Sequence, residues 1–536
     1  MPDFGVLNWT ILITYILGTL GLGVVLSKKV DTADDFYLGR RTTPWWVIGI
    51  SVMATYVSAL SFLGAPAWSY TDGLSVMAIH LNYPLVVFLV ITFFLPFFYN
   101  SGVASIYDYQ EKRFGPYARS VMSVVFLLQS LFTAGAILYA TSLVLSFITG
   151  IDVVTAIVVT AIIALAYTTL GGITAVIWTD MMQAAILFIA AAIIFGALMS
   201  EMSAPLADTL AQLKGTGRLN PVVPSLDITE TTTIWSGVFA MTLYHITVYG
   251  ANQMMVQRTL ASKNIGDAKK AYLLMGFAAF FIYLLFIVMG VLFYQFYDGR
   301  PFENGNTIIL QFAADYGVPG LMGLIAASVL AAAMSSLDSS FNSMATVSVV
   351  DFYQRFFQPN ASGRHYLNVS RLFTLFWAVS IIVPAILYST TQGSILEILS
   401  KVGSYFVGAK LSMFALGFFS KHTTERGLLV GVAVGFAALI YVATQTDVAW
   451  PWYCAIGAAV NMPVALAASI LLDGFQKEEP VYTIRGQRTW FKKNDIPEAS
   501  SSGWYRMPGR IDRPSYLLLI FFALTFAFLL IIQWSV

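Results

Sequence analysis

The residues best placed for chemistry lie together in one apolar run. Between Gly320 and Val350 the chain reads Ala331-Ala332-Ala333-Met334-Ser335-Ser336-Leu337-Asp338-Ser339-Ser340-Phe341-Asn342-Ser343 across its middle. At about 100° per residue, Ser335, Asp338, Ser339, Asn342 and Thr346 share one face of a helix. That face offers hard oxygen atoms and one carboxylate, a donor set that suits a small cation. The run is also long and apolar enough to sit in a bilayer, where a carboxylate costs about 2.5–3.5 kcal/mol and must face a partner, a cavity or an ion. Helix packing through small residues accounts for the alanines and serines but accounts poorly for Asp338.

The rest of the chain has the composition such a helix needs around it. Of 536 residues, 58% are hydrophobic and 11% charged, which excludes a soluble enzyme and predicts a polytopic membrane protein embedded in a lipid bilayer. The net charge of +1 is spread over short blocks between apolar spans and implies no nucleic-acid partner. A single cysteine, Cys454, excludes an intramolecular disulfide and a thiolate metal site. No nucleophile–base pair stands out, so no enzyme is expected, and no obligate protein partner is evident. Val6 to Leu26 is apolar, with Lys28 and Lys29 after it and no basic segment before it, and reads as a retained helix rather than a signal peptide.

Apolar stretches of bilayer length fall at 6–27, 43–70, 74–99, 118–149, 152–170, 173–200, 233–257, 270–297, 317–350, 371–389, 395–419, 427–446, 449–473 and 515–535, which predicts fourteen transmembrane helices. Basic residues alternate between the connections. Lys28, Lys29, Arg40, Arg41, Lys112, Arg113, Arg119, Arg258, Lys263, Lys269, Lys270, Arg355, Arg364, Arg371, Lys421, Arg426 and the basic residues of 476–513 fall on one side, against Lys214, Arg218 and Arg300 on the other. By the positive-inside rule both termini are expected outside and the 476–513 loop in the cytoplasm. The string Asn360-Ala-Ser362 then lies inside and implies no glycosylation. Two interruptions stand out: Gly64-Ala-Pro66 in the helix from Thr43, and Tyr249-Gly250-Ala-Asn252-Gln253 in the helix from Ile234. Each opens a set of five helices, the pattern of an inverted-repeat transporter with its site at the midplane.

Five local strings resemble the sodium/solute symporter family. They are Asp35-Phe-Tyr-Leu-Gly39, Pro44-Trp-Trp46, Gly171-Gly-Ile-Thr-Ala-Val-Ile-Trp-Thr-Asp180, Gln257-Arg-Thr-Leu260 and Ser335-Ser-Leu-Asp-Ser-Ser-Phe-Asn-Ser343. They run in the family's order, and the similarity extends from about Phe4 to Phe475. The resemblance implies an all-α, leucine-transporter-type fold, a five-plus-five inverted repeat with broken first and sixth core helices. An extra helix at 6–27 would precede repeats at 43–200 and 233–419, and three C-terminal helices would occupy 427–535. It implies sodium-coupled, alternating-access import of a small polar organic solute, such as a sugar, amino sugar or related polyhydroxylated compound, across the plasma membrane, or the inner membrane in a bacterium. A sodium- or proton-coupled organic anion symporter is the alternative, and a nutrient sensor that binds without transport is a further one.

The same resemblance assigns ion ligands. A first sodium would be held by the Ala54, Val57 and Ala332 carbonyls and the Ser335 and Ser336 hydroxyls. A second, as in the sialic acid carriers, would lie between Asp180 and the Ser335, Asp338 and Ser339 positions. A hydroxyl is usual where this chain has Asp338. Two carboxylates at one site repel unless a cation lies between them, so either the second sodium is bound more strongly or one carboxylate carries a proton. A neutral Asp338 hydrogen-bonded to a neighbour is the structural alternative.

The solute pocket departs further from the family. At the five positions that contact sugar in the sugar carriers this chain has Ser61, His80, His245, Ala279 and Ser400, and Thr133 stands where sialic acid carriers place an Arg. Thr55, Ser58 and Ser61 resemble the hydroxyl-rich first helix of those carriers. With Tyr83, Tyr249 and Asn252 they predict a pocket for a polyhydroxylated neutral or amide-bearing solute. His80 and His245 serve equally well as caps between helices, and Thr55 and Ser61 as partners for the broken helix's carbonyls. Glu397 and Lys401, four apart, predict an intrahelical pair. Lys410 lies about 180° round the helix from Lys401, where it either snorkels, meets a carboxylate or binds an anionic solute.

Overall fold

The computed structural model describes residues 4–27, 43–57, 59–101, 106–167 and 173–535. Among these the chain is helical apart from turns and an isolated bridge between Ala499 and Tyr505. Ten helical stretches are long and apolar enough to cross a bilayer, and three more apolar helices are shorter. The helices that build the site are α1 (Gly5–Ser27), α2 (Trp45–Tyr56), α3 (Ala59–Asp72), α4 (Tyr83–Leu89), α5 (Pro116–Thr149), α6 (Val153–Tyr167) and α7 (Ile173–Glu201). They continue as α8 (Met241–Gly250), α9 (Gln253–Leu260), α10 (Ile265–Phe296), α11 (Leu321–Val347), α12 (Gly363–Ser380) and α13 (Ile382–Ser389). The last are α14 (Ile395–Phe419), α15 (Glu425–Gln445), α16 (Tyr453–Asp473) and α17 (Tyr516–Ser535).

The fourteen expected spans do not all appear as separate crossings. The stretch 233–257 is divided into a π-helical turn at Ser236–Ala240, α8 and α9, each too short to span alone. Its break falls at Ala251, with φ −121° and ψ 32°, inside the interruption expected there. The other break is displaced from the expected place. It lies at Val57, with φ −86° and ψ 74°, while Gly64-Ala-Pro66 sits within α3. The reason is packing: a Cβ on Gly64 would stand 2.8 Å from Leu396, and Ser394 Oγ donates to the Gly64 carbonyl at 2.7 Å. Gly64 thus lets α14 start against α3. The expected turn after residue 70 forms at Gly73, whose φ of +73° and approach to the Arg218 carbonyl leave no room for a side chain.

Hydrophobic driving force is weak between helices in lipid, so close approach through small residues does the packing. Gly427, Gly431 and Gly435 form one such stripe on α15 against α16; a Cβ on Gly431 would lie 2.5 Å from that of Ala465. Around the site, α10 packs on α2 and α3, and α11 on α1, α5 and α7.

The polar loops gather at two ends. At one, Tyr70 donates to the Arg300 carbonyl (2.7 Å), Arg218 to the Tyr70 carbonyl (2.8 Å), and Asn306 bridges to Gly393. At the other, Lys269 pairs with Asp512 at 2.5 Å, Asn100 donates to the Arg506 carbonyl, and Arg113 fans onto the carbonyls of Gly417, Ser420 and Thr423. The second end holds loops expected in the cytoplasm. Arg258, counted among the loop cations in the charge pattern, is instead buried within α9.

A cluster at this second end links the helix Ile106–Arg113 to α5 and the turn after α11. Glu111 accepts from Arg355 and Arg119, each at 2.7 Å, and Asp351 accepts from Arg119 and Ser123. The Arg355 hydrogen bond, seconded by Arg119, draws the Glu111 carboxyl down from its usual 4.5 to about 2. A carboxylate with a depressed folded value stabilises above its unfolded value and loses that contribution as pH falls toward about 2. Glu111→Gln is expected to lose about 1–2 kcal/mol at pH 7, allowing for solvent screening. Melting curves of both proteins should keep a constant gap down to about pH 5 and converge below it; a gap independent of pH would count against the ion cluster.

Candidate sodium and solute sites

Because α2 stops at Tyr56 and Val57 leaves the helical conformation, the carbonyls of its last turn lie at a helix end, where acceptors lack their usual partners. Ala54 is in this turn and Val57 follows it as the capping residue. Across from the break, α11 packs against α3 and carries Ala332, Ser336 and Ser339. Ala332 is buried and the two serines are half-buried. Among the described residues the Ser336 hydroxyl makes no hydrogen bond, while its carbonyl accepts from Ser340 Oγ at 2.7 Å. The donors at these positions are neutral hard oxygens, the type sodium requires. Ser58 and the side chains of Ser335 and Asp338 lie outside the described residues.

Asp180 is more heavily engaged than its expected role implies. On α7, it accepts at Oδ2 from Ser51 Oγ (2.6 Å) and from Arg258 Nη2 (3.0 Å). Arg258 Nε also donates to Ser51 Oγ at 3.1 Å, and Nη1 to the Met254 carbonyl at 3.2 Å. The buried triad joins α2, α7 and α9, and so ties the N-terminal half of the first broken helix to the C-terminal half of the second. Ser51 and Arg258 were not expected at the site. Arg258 sits in the Gln257–Leu260 string, but periodicity gives no sign that this short segment folds inward.

The solute residues divide into two groups. Ser61, His80, Tyr83, His245 and Tyr249 come together. Ser61 Oγ lies 3.1 Å from the Tyr283 hydroxyl, and His80 Nδ1 3.0 Å from that of Tyr83. The His80 ring stacks on Tyr283 with centroids 3.8 Å apart and planes 10° apart. Tyr83 packs against His245 (4.9 Å) and Tyr249 (5.7 Å), and His245 Nδ1 meets Asn82 Oδ1 at 2.9 Å. Tyr283 and Asn82 are the members that the sequence did not reveal. Tyr283 lies one turn beyond Ala279 on the same face of α10, where an ungapped match stops short of it. His80 Nε2 is buried without a hydrogen-bond partner among the described residues.

The second group bonds locally. Thr55 Oγ1 donates to the Ser51 carbonyl (2.7 Å) and Ser400 Oγ to that of Leu396 (2.8 Å). Asn252 Oδ1 accepts from Met254 N (3.0 Å) and caps α9. Thr133, half-buried on α5, is one turn from Gln129. The expected Glu397–Lys401 pair does not form: Glu397 accepts from Trp450 Nε1 at 3.4 Å, and no Lys401 ion pair is seen among the described residues. Lys410 is buried and donates to Gln129 Oε1.

An all-helical membrane protein with two helices broken at the centre of the bundle, carbonyls and hydroxyls at one break and a polar aromatic pocket between them, is a secondary transporter of the leucine-transporter type. Residues 36–435 match the model of the Sodium:solute symporter family, and the chain belongs to it. It is 28% identical to the Sodium/sialic acid symporter of Proteus mirabilis over 88% of this chain and 95% of that protein. It is also 28% identical to the Sodium-coupled monocarboxylate transporter 2 of Bos taurus, over 83% of this chain and 73% of that one. The solved structure of a Na+-coupled sialic acid symporter in a substrate-bound, outward-open state superimposes with a TM-score of 0.78 and 27% identity, covering 89% of this chain and all of that one. The protein is a sodium-coupled, multi-pass membrane transporter and not an enzyme.

Proposed function

We propose that the protein imports a small polar organic solute bearing hydroxyl or amide groups, a sugar, amino sugar or related compound, in symport with sodium. The observation that carries this reading is the His80 imidazole, stacked on Tyr283 with Nε2 buried and unpaired among the described residues. A buried polar atom without a partner awaits one, and a solute hydroxyl or amide supplies it while the rings cover the solute's apolar face. The relatives named for sialic acid and monocarboxylates support a solute that also carries a charge, and sialic acid itself combines hydroxyls, an amide and an acid.

The Ala54, Val57 and Ala332 carbonyls and the Ser335 and Ser336 hydroxyls are assigned to one sodium, and Asp180, Asp338 and Ser339 with Ser335 to a second. Each ion yields about 2.3 kcal/mol at 100 mV, and a tenfold gradient adds about 1.4. Two ions therefore supply roughly 7 kcal/mol, enough for steep accumulation of a neutral solute. Coupling requires sodium to favour the state that binds solute, since a ligand shifts an equilibrium only through differential affinity. The loops rich in Lys and Arg are assigned to the cytoplasm of a plasma membrane, with both termini outside.

His80→Phe keeps the stack and removes Nε2, together with the Nδ1 contact to Tyr83. It is expected to weaken solute affinity about tenfold, the value of one hydrogen bond, with sodium activation unaltered. Sodium-driven uptake of labelled amino sugars into liposomes measures both; equal solute affinity in the variant would refute the pocket, and binding without uptake would make the protein a sensor.

A further inference from the structure

The buried Lys and Arg side chains among the described residues are Arg113, Arg258, Lys269 and Lys410. Arg258 pairs with Asp180, Lys269 with Asp512, and Arg113 is spread over three carbonyl oxygens at a helix end. Lys410 differs from all three. Only 4% exposed, it meets no carboxylate among the described residues, and its one hydrogen bond goes to a neutral amide oxygen of Gln129. An ammonium has three N–H groups to satisfy, and a charge buried without a counter-charge is expensive. Snorkelling does not relieve it, because Lys410 lies nine residues, about 14 Å, from the end of α14.

Lys410 lies on a side of α14 that also runs past the imidazole cluster. Ser400, Gly403, Val407 and Lys410 follow one another at helical spacing along one side of α14. At Gly403 this side is so close to the pocket that a Cβ would stand 2.6 Å from the Tyr244 hydroxyl, next to His245. One turn beyond Lys410, Phe414 packs against Phe98 and Tyr109 at 5.8 and 5.7 Å. Along α14, Lys410 thus stands between Gly403, which packs beside Tyr244, and the aromatic cluster of Phe414. With Gln129 Oε1 held by the ammonium, the Gln129 amide N–H₂ has no hydrogen-bond partner among the described residues, so a cation and a neutral donor lie side by side. A carboxylate accepts from both at once.

Resting on the reading of a polar-solute pocket, we propose that Lys410 and Gln129 form an anion site that takes a carboxylate of the transported solute, so that the solute is an organic acid whose polar body reaches toward His80 and His245. The cation is supplied from α14, beside the turn of α5 that carries Gln129 and Thr133.

The test uses purified full-length protein and follows melting temperature in sodium and in choline. Probes are N-acetylneuraminate and its methyl ester, lactate and lactamide, and N-acetylmannosamine as a neutral amino sugar. An acid is expected to stabilise the protein in sodium with at least tenfold higher affinity than its ester or amide. Lys410→Gln should abolish that preference, and Lys410→Arg should retain part of it. Gln129→Glu, which gives Lys410 an internal counter-charge and keeps the helix packing, should expel the acid while leaving stabilisation by sodium alone. Esters and amides that bind as tightly as acids, or acid affinity unchanged in both Lys410→Gln and Gln129→Glu, would overturn the anion site and leave the polar-solute reading standing. No stabilisation by any probe, acidic or neutral, would refute both.

Discussion

Ser336→Ala is expected to raise the sodium concentration needed for half-maximal uptake by about 10- to 100-fold, with the helix itself intact. The hydroxyl faces no protein partner among the described residues, so its removal leaves no orphaned group behind. On the proposed assignment it takes away one oxygen from a cation, an interaction with a charged group worth about 1.5–3 kcal/mol, and each 1.4 kcal/mol is a factor of ten. Because the carbonyls of Ala54, Val57 and Ala332 remain, some sodium binding persists and the effect appears in affinity before it appears in maximal rate. Sodium titrations of solute uptake at saturating solute measure it. A variant with the wild-type sodium curve would remove Ser336 from the site and with it the assignment of the α2 break as an ion ligand.

The largest effect is expected at the Asp180 triad. Arg258→Ala leaves Asp180 buried with Ser51 and without its guanidinium, and breaking a buried ion pair costs about 3–5 kcal/mol. If Asp180 also serves a sodium ion, the ion and the guanidinium are alternative partners for one carboxylate. The loss on Arg258→Ala should then be markedly smaller in sodium than in choline, since sodium replaces the missing charge. Asp180→Ala removes the other partner, strands Arg258 and should abolish this difference between buffers. The double variant Asp180→Asn with Arg258→Gln keeps the shape without either charge and should recover most of the stability while its uptake loses sodium dependence. Thermal melts in the two salts decide between the readings. Equal destabilisation by Arg258→Ala in both would make the triad a structural tie between α2, α7 and α9 and remove Asp180 from the ion path.

The triad also shows where one-dimensional reasoning stops. Ser51, Asp180 and Arg258 are far apart in the chain, and nothing local distinguishes Arg258 from the neighbouring loop cations. Burial of a guanidinium is decided by what faces it, and only the folded bundle brings a carboxylate there. Tyr283 and Gln129 entered their sites in the same way, from helix faces that periodicity marks as buried without saying against what.

The break in the first core helix is a related case. Gly64 and Pro66 are breakers by local preference, yet the helix runs through them. Contacts made by α14 at Gly64 replace what the local sequence lacks, and the chain turns instead at Val57, a residue with no breaker signature. The second break fell within its expected interval because Gly250, Ala251 and Asn252 supply both a poor helix interior and an N-cap for the next segment.

The membrane class, the helical fold and the transport family were legible in the amino-acid sequence alone, because they depend on properties summed over long stretches: apolar length, charge alternation and ordered local strings. A bilayer makes such sums decisive, since every backbone group within it must be paired inside its own helix. The tertiary structure alone decided which partners the polar residues have. It stacked His80 on Tyr283, paired Asp180 with Arg258 and left Lys410 facing an amide, because hydrogen bonds and ion pairs act over a few ångströms between groups that lie far apart along the chain.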